Sequence, residues 1–397
     1  MEDDILATIQ SITPDMVAIR QDIHAHPETG FEEVRTAGIV AEQLRSWGLE
    51  VTTQVGRTGV VGTLKGSRPG NRAIGLRADM DALDILETTG LPYASTIPGK
   101  MHACGHDGHT AMLLGAARTL AKHRDFAGTV HFIFQPAEEG LGGAVAMLED
   151  GLLERFPMES VWGMHNWPSM PVGQFGAREG AMMAASDSWT VTFKGTGGHG
   201  GAGAHLSTDA SLALAHFITG VQTIVSRNVS AMDTAVVSVG YIAGGAWGSP
   251  NVMPSEVVVR GTARSFRDST QNLIERRMGE IAQASASMHG CTAELDYERR
   301  YVPLVNDAAS TTVAMDVAAE LVGEDKVKRS LSPVTGAEDF SFMLRKRPGA
   351  YVFIGNGVGA DGKYAPVHTP KYDFNDEALP FGVQYWVALA RKELAGS

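Results

Sequence analysis

Along the first half of the chain, two kinds of apolar pattern alternate. Short, mainly apolar runs at 60–64, 73–78, 129–134 and 160–164 predict buried strands. Longer segments with apolar positions three and four apart predict helices, as Met112, Leu113, Ala116, Ala117 and Leu120 do for 107–123. Further helices are expected over 32–47, closed by Gly48, and over 143–153. The first helix is expected to open at Thr13, an N-cap followed by Pro14 at the first helical position, and to stop near His26-Pro27. Helices alternating with such strands imply a largely parallel sheet, whose ligands lie beyond the strands' C-terminal edge.

After Ala184 the rhythm changes. Strand 188–194, a Gly-rich loop, helix 208–227, strands 235–242 and 256–266, helix 270–288 and strand 291–301 spell a β-α-β-β-α-β unit of ferredoxin-like type. From Asn306 the α/β pattern resumes, with a buried strand at 351–354 and a closing helix over 376–392. The reading is therefore a two-domain α/β chain: residues 1–184 and 304–397 form one domain, interrupted by an inserted α+β domain at 185–303.

Composition suits that size of core: 397 residues, 44% hydrophobic and 20% charged. Absence of an apolar run that spans a bilayer, and the acidic start Met1 to Gln10, predict a cytoplasmic protein with no membrane partner. A net charge of −12 without a basic stripe excludes nucleic acid as a partner. The two cysteines, Cys104 and Cys291, lie far apart outside any disulfide framework, which fits a reducing compartment.

His102-Ala103-Cys104-Gly105-His106-Asp107-Gly108-His109 packs three imidazoles, a thiol and a carboxylate into eight residues. Thiolate and imidazole suit zinc and neighbouring metals, and the glycines permit a backbone tight enough for residues two apart to face one ion. The alternative is a solvated loop with Asp107 capping a helix. Glu138-Glu139 leaves a strand; alone it is an exposed turn, but hydrolysis at a metal needs one ligating carboxylate and another to take a proton. His165 and His368 each stand near a strand or loop end, and with the other clusters they bring donors from four separate segments. The loop Gly195-Thr196-Gly197-Gly198-His199-Gly200-Gly201 matches no phosphate-binding pattern. His199 is either a donor to a developing oxyanion or a loop histidine, and Asn251 and Arg264 are either substrate anchors or a turn residue and a strand cation. Met182, Met183 and Trp247 are candidates for an apolar acyl pocket.

With His24-Ala25-His26-Pro27-Glu28, Arg77-Ala78-Asp79-Met80-Asp81, Gln135-Pro136-Ala137-Glu138-Glu139, Asn251-Val252-Met253-Pro254, Gly336-Ala337-Glu338-Asp339-Phe340 and His368-Thr369-Pro370 in order, the chain resembles the M20 metallopeptidases. Specifically, it resembles their amidohydrolase branch of hippurate hydrolases, N-acyl amino acid deacylases and auxin-conjugate hydrolases. The resemblance implies a catalytic α/β domain interrupted by a lid domain through which two copies pair. It further implies two divalent ions, zinc, manganese, cobalt or nickel, held by Cys104, His106, Glu139, His165 and His368. Glu138 would be the general base. Asp79 would support the ligands from behind, since Arg77 occupies the position of a further metal-binding histidine. His199, from its own or the neighbouring subunit, would contact the oxyanion, and Asn251 and Arg264 the substrate carboxylate. The implied reaction is amide hydrolysis of an N-acyl amino acid; the alternatives are a metallo-carboxypeptidase or dipeptidase, or a catalytically silent metal-binding protein.

Overall fold

Ile5, Ile9, Ile12, Met16 and Ile23 recur at helical spacing, and all are buried. They belong to one helix, α1 (Glu2–Ala25), in a computed structural model that describes residues 2–358 and 362–396. The helix therefore starts well before Thr13, and Pro14 lies inside it rather than at its first position. An internal proline costs about 3 kcal/mol. Each fully buried side chain of this size returns about 1.5–3 kcal/mol, so the continuous apolar stripe outweighs the break.

The chain continues through α2 (Val34–Ser46), β1 (Glu50–Val55), β2 (Gly59–Lys65), β3 (Arg68–Asp79), α3 (His106–Lys122), β4 (Ala127–Gln135), α4 (Gly143–Glu149), β5 (Ser160–Pro168) and β6 (Phe175–Gly176). The helix expected over 143–153 is split. Gly151 turns left-handed at φ 79°, and a separate turn, Leu152–Arg155, follows.

The main sheet has eight strands in the order β1-β2-β4-β3-β5, then Gly349–Gly357, β6 and Val327–Lys328. It is mixed rather than largely parallel. β4, β3, β5 and Gly349–Gly357 run parallel at its centre, whereas β1 pairs antiparallel with β2, β2 with β4, and β6 with Gly349–Gly357. Only three residues separate β1 from β2, and so short a link joins antiparallel strands alone. Register aligns the central strand ends: Asp79 lies opposite Gln135, Arg77 opposite Gly163, and Phe353 opposite His165.

Two compact units result, Met1–Gly180 with Val305–Ser332 and Asp339–Ser397, and Ala181–Leu304 with Pro333–Glu338. In the second, strands Ala235–Gly244, Glu256–Ser265, Ala185–Lys194 and Thr292–Tyr301 form an antiparallel sheet in that spatial order, the ferredoxin-like arrangement. Helices Ala210–Thr223 and Asp268–Met288 cover it, with Trp189, Val191, Phe193, Phe217, Ile274 and Met278 in the core between. Met182 and Met183 are buried, whereas Trp247 is fully exposed.

Candidate metal centre

Strand β3 ends at Asp79, and Asp81 follows two residues on; β4 runs out towards Glu138 and Glu139; β5 carries His165 near its end. The loop before α3 supplies Cys104. Gly105 makes this possible: at φ 90° it lets the chain reverse into the helix, so that Cys104 and His106 face the same space. A fifth segment brings His368, whose backbone N–H donates to the carbonyl of Ala103 at 2.7 Å.

These side chains converge. The donor atoms of Cys104, His106 and His165 lie within 4.8 Å of one another, as do those of Cys104, Glu139 and His368, and those of His106, Glu138 and Glu139. Cys104 Sγ is common to the first two groups and sits 3.3 Å from His165 Nε2. His165 donates from Nδ1 to the carbonyl of Asn166 at 2.6 Å, leaving the Nε2 lone pair towards the sulfur. Burial, reinforced by His109, holds that imidazole well below its ordinary pKa, hence neutral.

The support behind these groups is equally specific. Asp81 takes His106 Nδ1 at 3.2 Å on one oxygen and the Glu139 N–H at 2.9 Å on the other. Asp79 is held by the fully buried Arg77 at 2.6 Å and takes His109 Nδ1 at 2.6 Å. His109 Nε2 accepts the Asn166 N–H at 2.9 Å, so both ring nitrogens are engaged and His109 has no donor to spare. Arg77 also reaches Gln135 at 2.8 Å and Asp339 at 3.2 Å. Asp79 thus backs the site, and Asp81, for which the sequence implies no role, orients two candidate ligands.

The residues fit a cation. His106 Nε2 is buried without a hydrogen-bond partner, and Glu139 Oε1, 3.0 Å from His368 Nε2, makes no hydrogen bond with it. Buried donor atoms close together yet not bonded to one another are what ligands of an ion look like. Electrostatics agree. Burial opposes a charge on His106, but Asp79, Asp81 and Glu139 outweigh it and raise the imidazole to about 10. Burial together with Glu139, Glu138 and Asp79 pushes the Cys104 thiol up. Negative charge here is in excess, and a divalent ion would release those protons.

The remaining predicted residues lie in the second unit. His199 is on a two-residue strand paired with Val252–Met253, next to Asn251, whose carbonyl accepts the Gly200 N–H at 2.8 Å. The N–H groups of Gly201 and Ala202 both point at His199 Nδ1, each at 3.2 Å, which places the imidazole proton on the exposed Nε2. Arg264 is not with them. It lies near the far end of Glu256–Ser265, about 26 Å along the strand from Glu256 at roughly 3.3 Å per residue. There its guanidinium binds the Thr262 hydroxyl and the Ala263 carbonyl of its own strand.

The sequence from residue 75 to 392 matches the model of peptidase family M20/M25/M40. The chain belongs to that family. As a member it is a metal-dependent hydrolase of amide bonds, in keeping with the sequence resemblance and with the donor set above. It is 39% identical over 391 residues to a hippurate hydrolase of Campylobacter jejuni, covering 98% of this chain and 99% of the relative. It is 39% identical to the N-acetylcysteine deacetylase of Bacillus subtilis, covering 94% and 96% of the two chains. Among solved structures, the YXEP protein of Bacillus subtilis, described as a dinuclear metal binding peptidase of this family, superposes with a TM-score of 0.84 at 33% identity over 97% of this chain and 99% of that one. Among the described residues no helix is long and apolar enough to cross a membrane.

Proposed function

We propose that this M20 protein hydrolyses N-acyl amino acids to a carboxylate and a free amino acid, with two divalent ions held by Cys104, His106, Glu139, His165 and His368. The observation that carries the reading is the sharing of Cys104 Sγ between two donor groups with Glu138 beside them. Bound there, the ions supply Lewis acidity to the amide carbonyl and make water a nucleophile at neutral pH. Thiolate and imidazole donors favour zinc, with manganese, cobalt and nickel as the other candidates.

Glu138 takes the proton of the attacking water and returns it to the departing amine, so its carboxylate is regenerated each turnover. His199 donates Nε2–H to the oxygen that gains charge, Asn251 assists in binding the substrate, and Arg264 pairs with its carboxylate. His199, in the two-stranded ribbon with Val252–Met253, stands apart from Arg264, which lies near the far end of Glu256–Ser265 in the four-stranded sheet, and this separation supports their serving two different sites in a homodimer. The edge strand Ala235–Gly244 offers the surface for such pairing, with Val236, Tyr241 and Ile242 exposed.

The test is free-amine release from hippurate, N-acetyl amino acids, indoleacetyl amino acids and dipeptides by metal-replete protein. Glu138→Gln is expected to keep its metal and lose about 10²–10⁴-fold in turnover. Full activity in that variant would remove Glu138 from the mechanism. Cleavage of dipeptides alone would make the protein an exopeptidase.

A further inference from the structure

Asn166, the residue after His165, is fully buried and has every polar group engaged. Its carbonyl accepts from His165 Nδ1 at 2.6 Å and its N–H donates to His109 Nε2 at 2.9 Å. The side-chain Nδ2 donates to the carbonyl of Cys104 at 2.6 Å and lies 3.0 Å from His109 Nε2. Oδ1 accepts from the hydroxyl of Tyr372 at 2.8 Å. The amide orientation follows from this network, because a flipped side chain would set Oδ1 against the Cys104 carbonyl. Tyr372 is itself fully buried and sits four residues beyond His368.

One amide therefore touches the backbone of the shared sulfur ligand, the strand that carries His165 and the segment that carries His368. The space is made to measure. A Cβ on Gly105 would stand 2.4 Å from both Asn166 Nδ2 and the Tyr372 oxygen, so the glycine between the two ligands of the 104–106 loop also leaves room for this contact.

We infer that Asn166 is a positioning residue: it fixes the backbone of Cys104 and, through Tyr372, ties the His368 segment to it, so that the two donor groups sharing Cys104 Sγ are assembled as one. The inference rests on the ligand reading proposed above. It is tested by zinc affinity and stoichiometry, measured by competition with a chromogenic chelator, and by the thiolate-to-cobalt(II) charge-transfer band of the cobalt form. Groups that orient ligands change metal affinity by about 10–100-fold when removed. Asn166→Ala and Tyr372→Phe are expected to lose affinity in that range and to shift the cobalt band, which a purely structural role would leave in place. Zinc affinity within twofold of the parent in both variants, with an unmoved band, overturns the inference. Should Asn166→Ala fail to fold, Tyr372→Phe, which removes a single oxygen, decides alone. Cys104→Ser separates the two levels: unchanged zinc binding in that variant sinks the ligand reading itself, whereas lost binding there beside intact binding in both Asn166→Ala and Tyr372→Phe, or in Tyr372→Phe where Asn166→Ala does not fold, sinks only the role of Asn166.

Discussion

His131, in the middle of β4, shows how a single buried residue ties stability to pH. Its Nδ1 lies 3.0 Å from the Thr63 hydroxyl, and burial pushes the imidazole down to about 4. Above about 6.5 the residue is neutral in folded and unfolded chains alike, and it does not affect the balance. Between about 6.5 and 4 the unfolded chain takes up a proton that the fold refuses, so stability falls as pH falls, by roughly 1.4 kcal/mol per unit for this group. His131→Asn is expected to lose less stability than the parent between pH 7 and 5, by about 2 kcal/mol, in urea unfolding at the two values. The residues of the site divide along a similar physical line. Cys104, His106, Glu138 and Glu139 stand out in the sequence because a thiol, imidazoles and a carboxylate pair crowd into two short motifs. Asp81 was visible in Asp79-Met80-Asp81, where two-residue alternation along an extended chain sets both carboxylates on one side. Asn166 and Tyr372 gave no signal, because the amide joins a backbone carbonyl, the Tyr372 hydroxyl and His109 from distant segments, and residue type does not encode such contacts. At His199 the two backbone N–H groups on Nδ1 commit Nε2–H to donation. His199→Ala should therefore lower kcat by about 10²–10³-fold, the usual loss for one such donor, with metal content unchanged.

Among the elements, the strands and most helices followed from apolar spacing, and the errors have local causes. Thr13-Pro14 predicts a helix start because a proline is cheapest there. The stripe from Ile5 to Ile23 shows that burial on one face settled the matter instead. Pro14→Ala is accordingly expected to raise the unfolding free energy by about 1–3 kcal/mol, partly offset by the freer unfolded chain, with metal binding unaltered. A loss of stability would mean that the proline itself stabilises the folded helix. The start of α2 shows a second kind of hidden device. The Glu28 carboxylate accepts the N–H groups of Arg35 at 2.9 Å and Thr36 at 2.8 Å, capping the helix from outside its own sequence. The antiparallel pairs β1-β2, β2-β4 and β6 with Gly349–Gly357 depart from the expected parallel sheet, since periodicity reports burial and not polarity of pairing.

For the molecule as a whole, the exposed edge of the second unit makes oligomeric state the informative measurement. Light scattering is expected to give a mass of two chains, and Tyr241→Lys with Ile242→Lys a mass of one, because charge on an edge strand opposes edge-to-edge pairing. A parent mass of one chain would remove the dimer and the shared-site reading of His199. The way the second unit is joined to the first has a separate consequence. Arg178, before the boundary at Gly180, accepts at its carbonyl from Asn306 Nδ2 at 3.0 Å, just past the return at Val305. The long excursion, Ala181–Leu304, thus leaves and re-enters at one place, as a loop whose ends are already closed, while Pro333–Glu338 makes a second, short crossing. Doubling the length of such a loop costs only about 0.6 kcal/mol in chain entropy. On chain entropy alone, the insert can therefore lengthen or shorten at little cost while the strand ends that gather Cys104, His165 and His368 stay where they are.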